Sequence, residues 1–156
     1  MSGRYVSFVV EGDRYCVPVD QVLQIVRPEG ILEVPKPLPY VRGVINLRGD
    51  VIPVVSLRAR LGVGGGKAET SGGGSPRARI IVIRVGNRSC GLTVDEVREI
   101  VEISDSNTAG LAEQHPTGAG AQFVRSTVKR EDVLFHLLDL QRVLSAGKDL
   151  QGAAPV

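Results

Sequence analysis

Asp20-Gln21-Val22-Leu23-Gln24-Ile25-Val26 returns later in the chain as Asp95-Glu96-Val97-Arg98-Glu99-Ile100-Val101. The two stretches lie 75 residues apart (95 − 20), and Asp, the first Val, Ile and the last Val are identical. A second match follows in the same order. Arg48-Gly49-Asp50-Val51-Ile52 aligns with Arg130-Glu131-Asp132-Val133-Leu134, 82 residues on (130 − 48), and residues 57–61 align with 140–144 one position further along. One short match would be chance. Two in the same order, separated by the same kinds of element, mark a duplicated unit.

The unit can be read from either copy. Val6, Phe8 and Val10 alternate as in a half-buried strand, Glu11-Gly12-Asp13 has turn chemistry, and residues 15–19 form the returning strand. Asp20 is expected to cap a short helical turn over residues 21–26, as Asp95 does in the second copy. Pro35, Pro37 and Pro39 then interrupt regular structure. A hairpin follows, residues 41–47 and 51–55 around Arg48-Gly49-Asp50, and a short helix ends at Gly62. The second copy repeats this with strands at 79–85 and 89–94, a hairpin from 124–128 to 133–138, and a helical turn at 140–145. About five short strands with one apolar face each bury that face best by curling into a small barrel. The fold expected is all-β: two similar barrels packed together, with short helical turns. Within a single domain over 1–156, residues 5–61 would mainly build the first barrel and 77–145 the second. Residues 62–76, rich in Gly and Ser, would link them, and 146–156 would form a tail.

Composition narrows the function classes. The chain has 156 residues, 42% hydrophobic and 4% aromatic, with no Trp, so β-branched and leucine side chains must make the core. A net charge of +2 gives little attraction to nucleic acid or anionic membrane. No aromatic side chain lies between Tyr40 and Phe123, so a base-stacking platform is not expected, and Arg77 and Arg79 read as strand-edge charges. No apolar run approaches the roughly 20 residues that span a bilayer, and no secretory leader precedes the first strand, which predicts a cytoplasmic protein without direct membrane insertion.

Catalytic patterns fit poorly. Gly62-Val63-Gly64-Gly65-Gly66-Lys67-Ala68 suggests a phosphate loop, but Leu61 stands where its first Gly belongs and Ala68 replaces the metal-binding hydroxyl. Cys16 and Cys90 could each act as a nucleophile with His115 or His136, which makes a Cys-dependent enzyme the alternative from another class. Both cysteines sit inside apolar strands at equivalent places in the repeat, which suits packing better than reactivity. His136 alternates with Phe135 and is expected to face solvent. No metal-ligand spacing occurs, and neither a cofactor nor catalysis is expected.

The run Val41-Arg42-Gly43-Val44-Ile45-Asn46-Leu47-Arg48-Gly49-Asp50-Val51-Ile52-Pro53-Val54-Val55-Ser56-Leu57-Arg58 resembles the signature hairpin of the CheW family. Residues 91–97 and Leu137-Leu138-Asp139-Leu140 resemble two further segments of that family, and the likeness spans about residues 5–145. It implies two five-stranded SH3-like barrels. It also implies a chemotaxis adaptor that binds the regulatory domain of a CheA-type histidine kinase and the cytoplasmic tip of chemoreceptors, and so joins receptor arrays through its partners. Related chemosensory pathways for motility or development use the same architecture. By the family's motif, Val22, Gln24 and Ile25 would lie near the receptor groove, with Gly43, Asn46, Arg48 and Gly49 in the adjoining hairpin. Arg48 is the foremost contact candidate, because its planar fork suits carboxylates and carbonyls. Its competing role is an internal bridge between barrels, and Asn46 and Gly49 could serve the turn alone. Gln24 stands where the family often has an acidic residue. Ser126 and Arg130 stand where glycine is common.

Overall fold

In the computed structural model, residues 3–33, 35, 39–63, 76–104 and 121–144 are described. Most of the expected linker, the tail 146–156, Pro37 and His115 lie outside these residues. Ten strands run in chain order: β1 (Gly3–Val10), β2 (Asp13–Pro18), β3 (Val22–Val26), β4 (Val41–Leu47), β5 (Asp50–Ser56), β6 (Arg79–Val85), β7 (Arg88–Val94), β8 (Glu96–Ile103), β9 (Val124–Arg130) and β10 (Val133–Leu138). Two short helices follow hairpins, α1 (Leu57–Leu61) after β5 and α2 (Leu140–Val143) after β10. Ser56 caps α1 by accepting from the Ala59 N–H, and Gly62 ends it in the left-handed conformation that lacks a Cβ penalty.

The strands form two five-stranded sheets, ordered β8-β1-β2-β10-β9 and β3-β6-β7-β5-β4. The all-β, two-unit fold class is therefore the observed one, with each unit an SH3-like five-stranded sheet. The strands are not shared as the sequence halves suggested. β1 and β2 of the first half join β8, β9 and β10 of the second, while β3, β4 and β5 join β6 and β7. Residues 5–61 and 77–145 thus each contribute to both sheets. The physical reason lies in the crossings: β3 leaves β2 to pair antiparallel with β6, and β8 leaves β7 to pair antiparallel with β1.

The register repeats between sheets residue by residue. Phe8 pairs with Tyr15 as Ile83 pairs with Cys90, and Cys16 pairs with Leu137 as Gly91 pairs with Val54. Val41 pairs with Val55 as Val124 pairs with Leu138, which sets the hairpin offset at 83 (124 − 41) rather than 82. A two-residue turn fixes hairpin register, so Arg48-Gly49 corresponds to Glu131-Asp132, and the matching aspartates Asp50 and Asp132 are not equivalent. The cysteines are likewise one place out of step, since Cys90 corresponds to Tyr15.

Residues 22–26 and 96–103 are strands rather than helical turns. Pro18 is the N-cap residue of the three-residue 3-10 turn before β3, and no side chain caps that turn, so Asp20 is not the expected cap. Asp95 instead accepts the Glu11 backbone N–H at 2.8 Å and pairs with Arg58 at 3.3 Å, tying the β1–β2 turn to α1.

Each sheet buries both faces. One face packs into a large core shared by both sheets, including Phe8, Val17, Leu57, Ile81, Ile83 and Leu92. The other faces line separate clusters: Tyr5, Cys16, Val101, Val128 and Leu137 in the first sheet, and Ile45, Ile52, Val54, Ile80 and Val82 in the second. This explains why Ile80-Ile81-Val82-Ile83 is apolar without alternation, with all four side chains fully buried. Each such side chain stabilises the fold by about 1.5–3 kcal/mol through burial.

Candidate functional site

The second sheet opens into a groove of about 540 Å³ where β3 and the β4–β5 hairpin meet the β6–β7 turn. Gln24 and Arg48 line it, together with Leu23, Leu47, Asp50, Val51, Ile52, Arg84, Asn87 and Ser89. Two of its apolar side chains are unusually bare, Leu23 at 51% and Val51 at 47% exposure.

The β4–β5 hairpin positions Arg48. Leu47 pairs with Asp50, so Arg48 and Gly49 form a two-residue turn with φ of 54° and 88°. Positive φ at both positions is the primed geometry that matches strand twist. Gly49 adopts it freely; Arg48 adopts it at a cost of about 1 kcal/mol or more. Asn46 accepts the Gly49 N–H through Oδ1 at 3.1 Å, so Asn46 and Gly49 build the turn. Arg48 is exposed, and among the described residues its guanidinium has no hydrogen-bond or ion-pair partner. The internal-bridge role therefore has no contact behind it. Other charged side chains do tie elements together: Arg58 lies 2.8 Å from Glu11 and 3.3 Å from Asp95, and Arg60 donates through Nε to the Val143 carbonyl at 3.0 Å.

Gly43 has a structural explanation. Its φ is +151°, and a Cβ there would collide with the Leu32 backbone carbonyl, next to the Leu32–Val44 bridge. It is buried and does not line the groove.

Val22, Gln24 and Ile25 are separated by a bulge at Leu23. Val22 pairs with Ile83, but Gln24 pairs with Val82 and Ile25 with Ile81. Directly opposed residues share a face. Val22 and Ile25 therefore face the side of Ile83 and Ile81, and Gln24 the side of Val82. Of the seven candidate residues, only Gln24 and Arg48 reach the groove wall. Leu23, Val51, Arg84 and Ser89 were missed. Leu23 and Val51 look like ordinary strand residues in sequence, and Arg84 and Ser89 belong to a hairpin that carried no motif.

At the equivalent place in the first sheet stands an ion pair of the chain's own. Arg14, the counterpart of Ser89, lies 3.4 Å from Glu99, the counterpart of Gln24. The Arg14 guanidinium also sits 5.8 Å over the ring of Phe135, the counterpart of Ile52. Ser7 donates to the Glu99 backbone carbonyl at 2.6 Å, which anchors the plug. A hydrogen bond to its own backbone N–H, followed by the Ser7 hydroxyl and Arg14, holds the Glu99 carboxyl below its ordinary pKa.

Both thiols are buried. Burial pushes both Cys16 and Cys90 up to about 12, so neither is a thiolate near neutral pH. His136 is buried, not solvent-facing. Its Nδ1 is 2.9 Å from Thr127 Oγ1, and its ring lies 5.4 Å from that of Tyr15. Cys16 belongs to the opposite face, against Leu137. Among the described residues no Cys–His pair is assembled.

Comparison with known proteins agrees with this architecture. Residues 4–148 match the model of the CheW-like domain. The chain is 31% identical over 154 residues to the chemotaxis protein CheW of Bacillus subtilis, covering 97% of this chain and 92% of that one. It is 33% identical over 104 residues to the chemotaxis protein CheW of Helicobacter pylori, covering 67% of this chain and 59% of the relative. The crystal structure of the scaffolding protein TtCheW from Thermoanaerobacter tengcongensis superimposes with a TM-score of 0.78 at 27% identity, covering 92% of this chain and 93% of that one. Proteins of this family are scaffolds and adaptors, not enzymes. Matched over nearly its whole length, the chain belongs to the CheW-like domain family.

Proposed function

We propose that this protein is a cytoplasmic chemotaxis adaptor that couples chemoreceptors to a CheA-type histidine kinase. The tip of a receptor would dock in the groove between β3 and the β4–β5 hairpin, and the kinase regulatory domain would bind elsewhere on the two-sheet body. The observation that carries this reading is the exposed guanidinium of Arg48 at the edge of an open groove with bare Leu23 and Val51 shoulders. Bare apolar shoulders beside charged side chains are what an amphipathic helix needs from a docking surface. Arg48 shares its left-handed backbone with its counterpart Glu131, so it is the exposed guanidinium and not the turn geometry that supports a contact role. Among the described residues no helix is long and apolar enough to cross a membrane, so attachment to a receptor array would come through partners.

Calorimetric titration with the regulatory domain of the organism's CheA-type kinase, and separately with a receptor-tip fragment, tests the proposal. Saturable binding of both supports coupling. Folded protein that binds neither would contradict it.

A further inference from the structure

We infer that the groove selects an acidic amphipathic segment of its partner, with Arg84 acting beside Arg48 as a specificity-determining residue. This deepens the docking role proposed above and rests on it. The internal duplication supplies the reason. In the first sheet the corresponding mouth is occupied by its own ion pair, Arg14 with Glu99, laid over Phe135. In the second sheet Ser89, Gln24 and Ile52 hold those three places. Among the described residues no internal cation–carboxylate pair fills the opening, so the mouth is an unpaired copy of a site that its twin occupies with Arg14 and Glu99.

The chemistry of the rim says what would fill it. Two guanidiniums, Arg48 and Arg84, line the groove against one carboxylate, Asp50. Arg84 donates through Nε to the Gly86 carbonyl at 3.1 Å. That bond steadies its stem, and its terminal nitrogens have no partner among the described residues. Gln24 offers an amide where the twin carries the Glu99 carboxylate, so an incoming acidic side chain meets no repulsion there. Leu23 and Val51 would take the apolar residues on either side of that carboxylate. A helix presenting a glutamate or aspartate flanked by apolar residues at i ± 3 or i ± 4 satisfies all of these contacts.

The test is a set of titrations with a chemoreceptor-tip fragment. Arg84→Ala should weaken binding about three- to tenfold and reduce its sensitivity to salt. Replacing the acidic residues on the docked face of the fragment by Gln should weaken binding to the wild type similarly. The double variant Ser89→Arg/Gln24→Glu copies the internal plug and should lower affinity by at least about tenfold, with a melting temperature within about 5 °C of the wild type. If that variant does not fold, Arg84→Ala and the Gln-substituted fragment decide. Binding to the wild type that neither of those changes weakens would overturn the inference and leave docking intact. A fragment that does not bind the wild type at all would overturn the docking reading and this inference together.

Discussion

The two sheets have the same strands in the same register, yet one mouth is plugged and the other is open. Arg14, Glu99 and Phe135 close the first; Ser89, Gln24 and Ile52 leave the second as a groove. The turn beside each mouth differs in the same sense, Glu131-Asp132 in the first and Arg48-Gly49 in the second. Duplication gave both halves the same backbone, and under the proposed docking a handful of side chains would decide which copy receives a partner.

Both mouths depend on the shared core, and the largest effect should appear there. Phe8 and Ile83 are equivalent and fully buried. Phe8→Ala should cost about 3–5 kcal/mol in urea unfolding, and Ile83→Ala about 2–5 kcal/mol. A loss below about 1 kcal/mol at either would mean that the sheets do not share one cooperative core.

The next effect separates the copies. Gly43 corresponds to Ser126, and only Gly43 lies against a backbone carbonyl, with φ in the left-handed region. Gly43→Ala should destabilise by about 2 kcal/mol, while Ser126→Ala should stay within about 0.5 kcal/mol. Equal effects in denaturant unfolding would remove the structural explanation for Gly43.

Unplugging the first mouth should cost less. Arg14→Ser with Glu99→Gln should lower stability by about 1 kcal/mol or less, because Glu99 is largely exposed and solvent screens the pair. The pH dependence has a definite sign. The native carboxyl of Glu99 is held below its ordinary value of 4.5, so its contribution is present above that pH and is lost as pH falls through the lowered native value. The double variant should therefore lose part of the acid-induced drop in stability seen in the wild type. A wild type and variant with parallel stability curves from pH 6 to pH 2 would show that the plug is not formed.

The smallest effect concerns the thiols and involves no change in stability. With both held near 12, Cys16 and Cys90 should label slowly in the folded protein at pH 8 and fast once it is unfolded. Rapid labelling of either in the folded state would revive a reactive cysteine.

Much of this was legible in the sequence. The duplication, the turn at Arg48-Gly49 and the Ser56–Gly62 boundaries of α1 follow from residue pattern and turn chemistry. The reading failed where a bulge imitates a helix. Val22, Ile25 and Val26 have the i, i+3, i+4 spacing of a helical face, and Val97, Ile100 and Val101 repeat it. In the structure that spacing arises because each edge strand carries a bulge, so the apolar period slips by one. Strand exchange between sheets was hidden because local pattern says nothing about which partner a strand crosses to. The groove was only half visible: Arg48 stood in a motif, but Ser89 enters the proposal only because it stands where the first sheet has Arg14, and only the register reveals that.

The most direct measurement titrates a receptor-tip fragment into wild type, Arg48→Ala and Glu131→Ala, the last two being equivalent turn positions beside the open and the plugged mouth. Arg48→Ala should weaken binding by about tenfold, and Glu131→Ala should leave it within about twofold. Equal affinities for all three, or a larger loss from Glu131→Ala, would contradict the assignment of docking to the open copy.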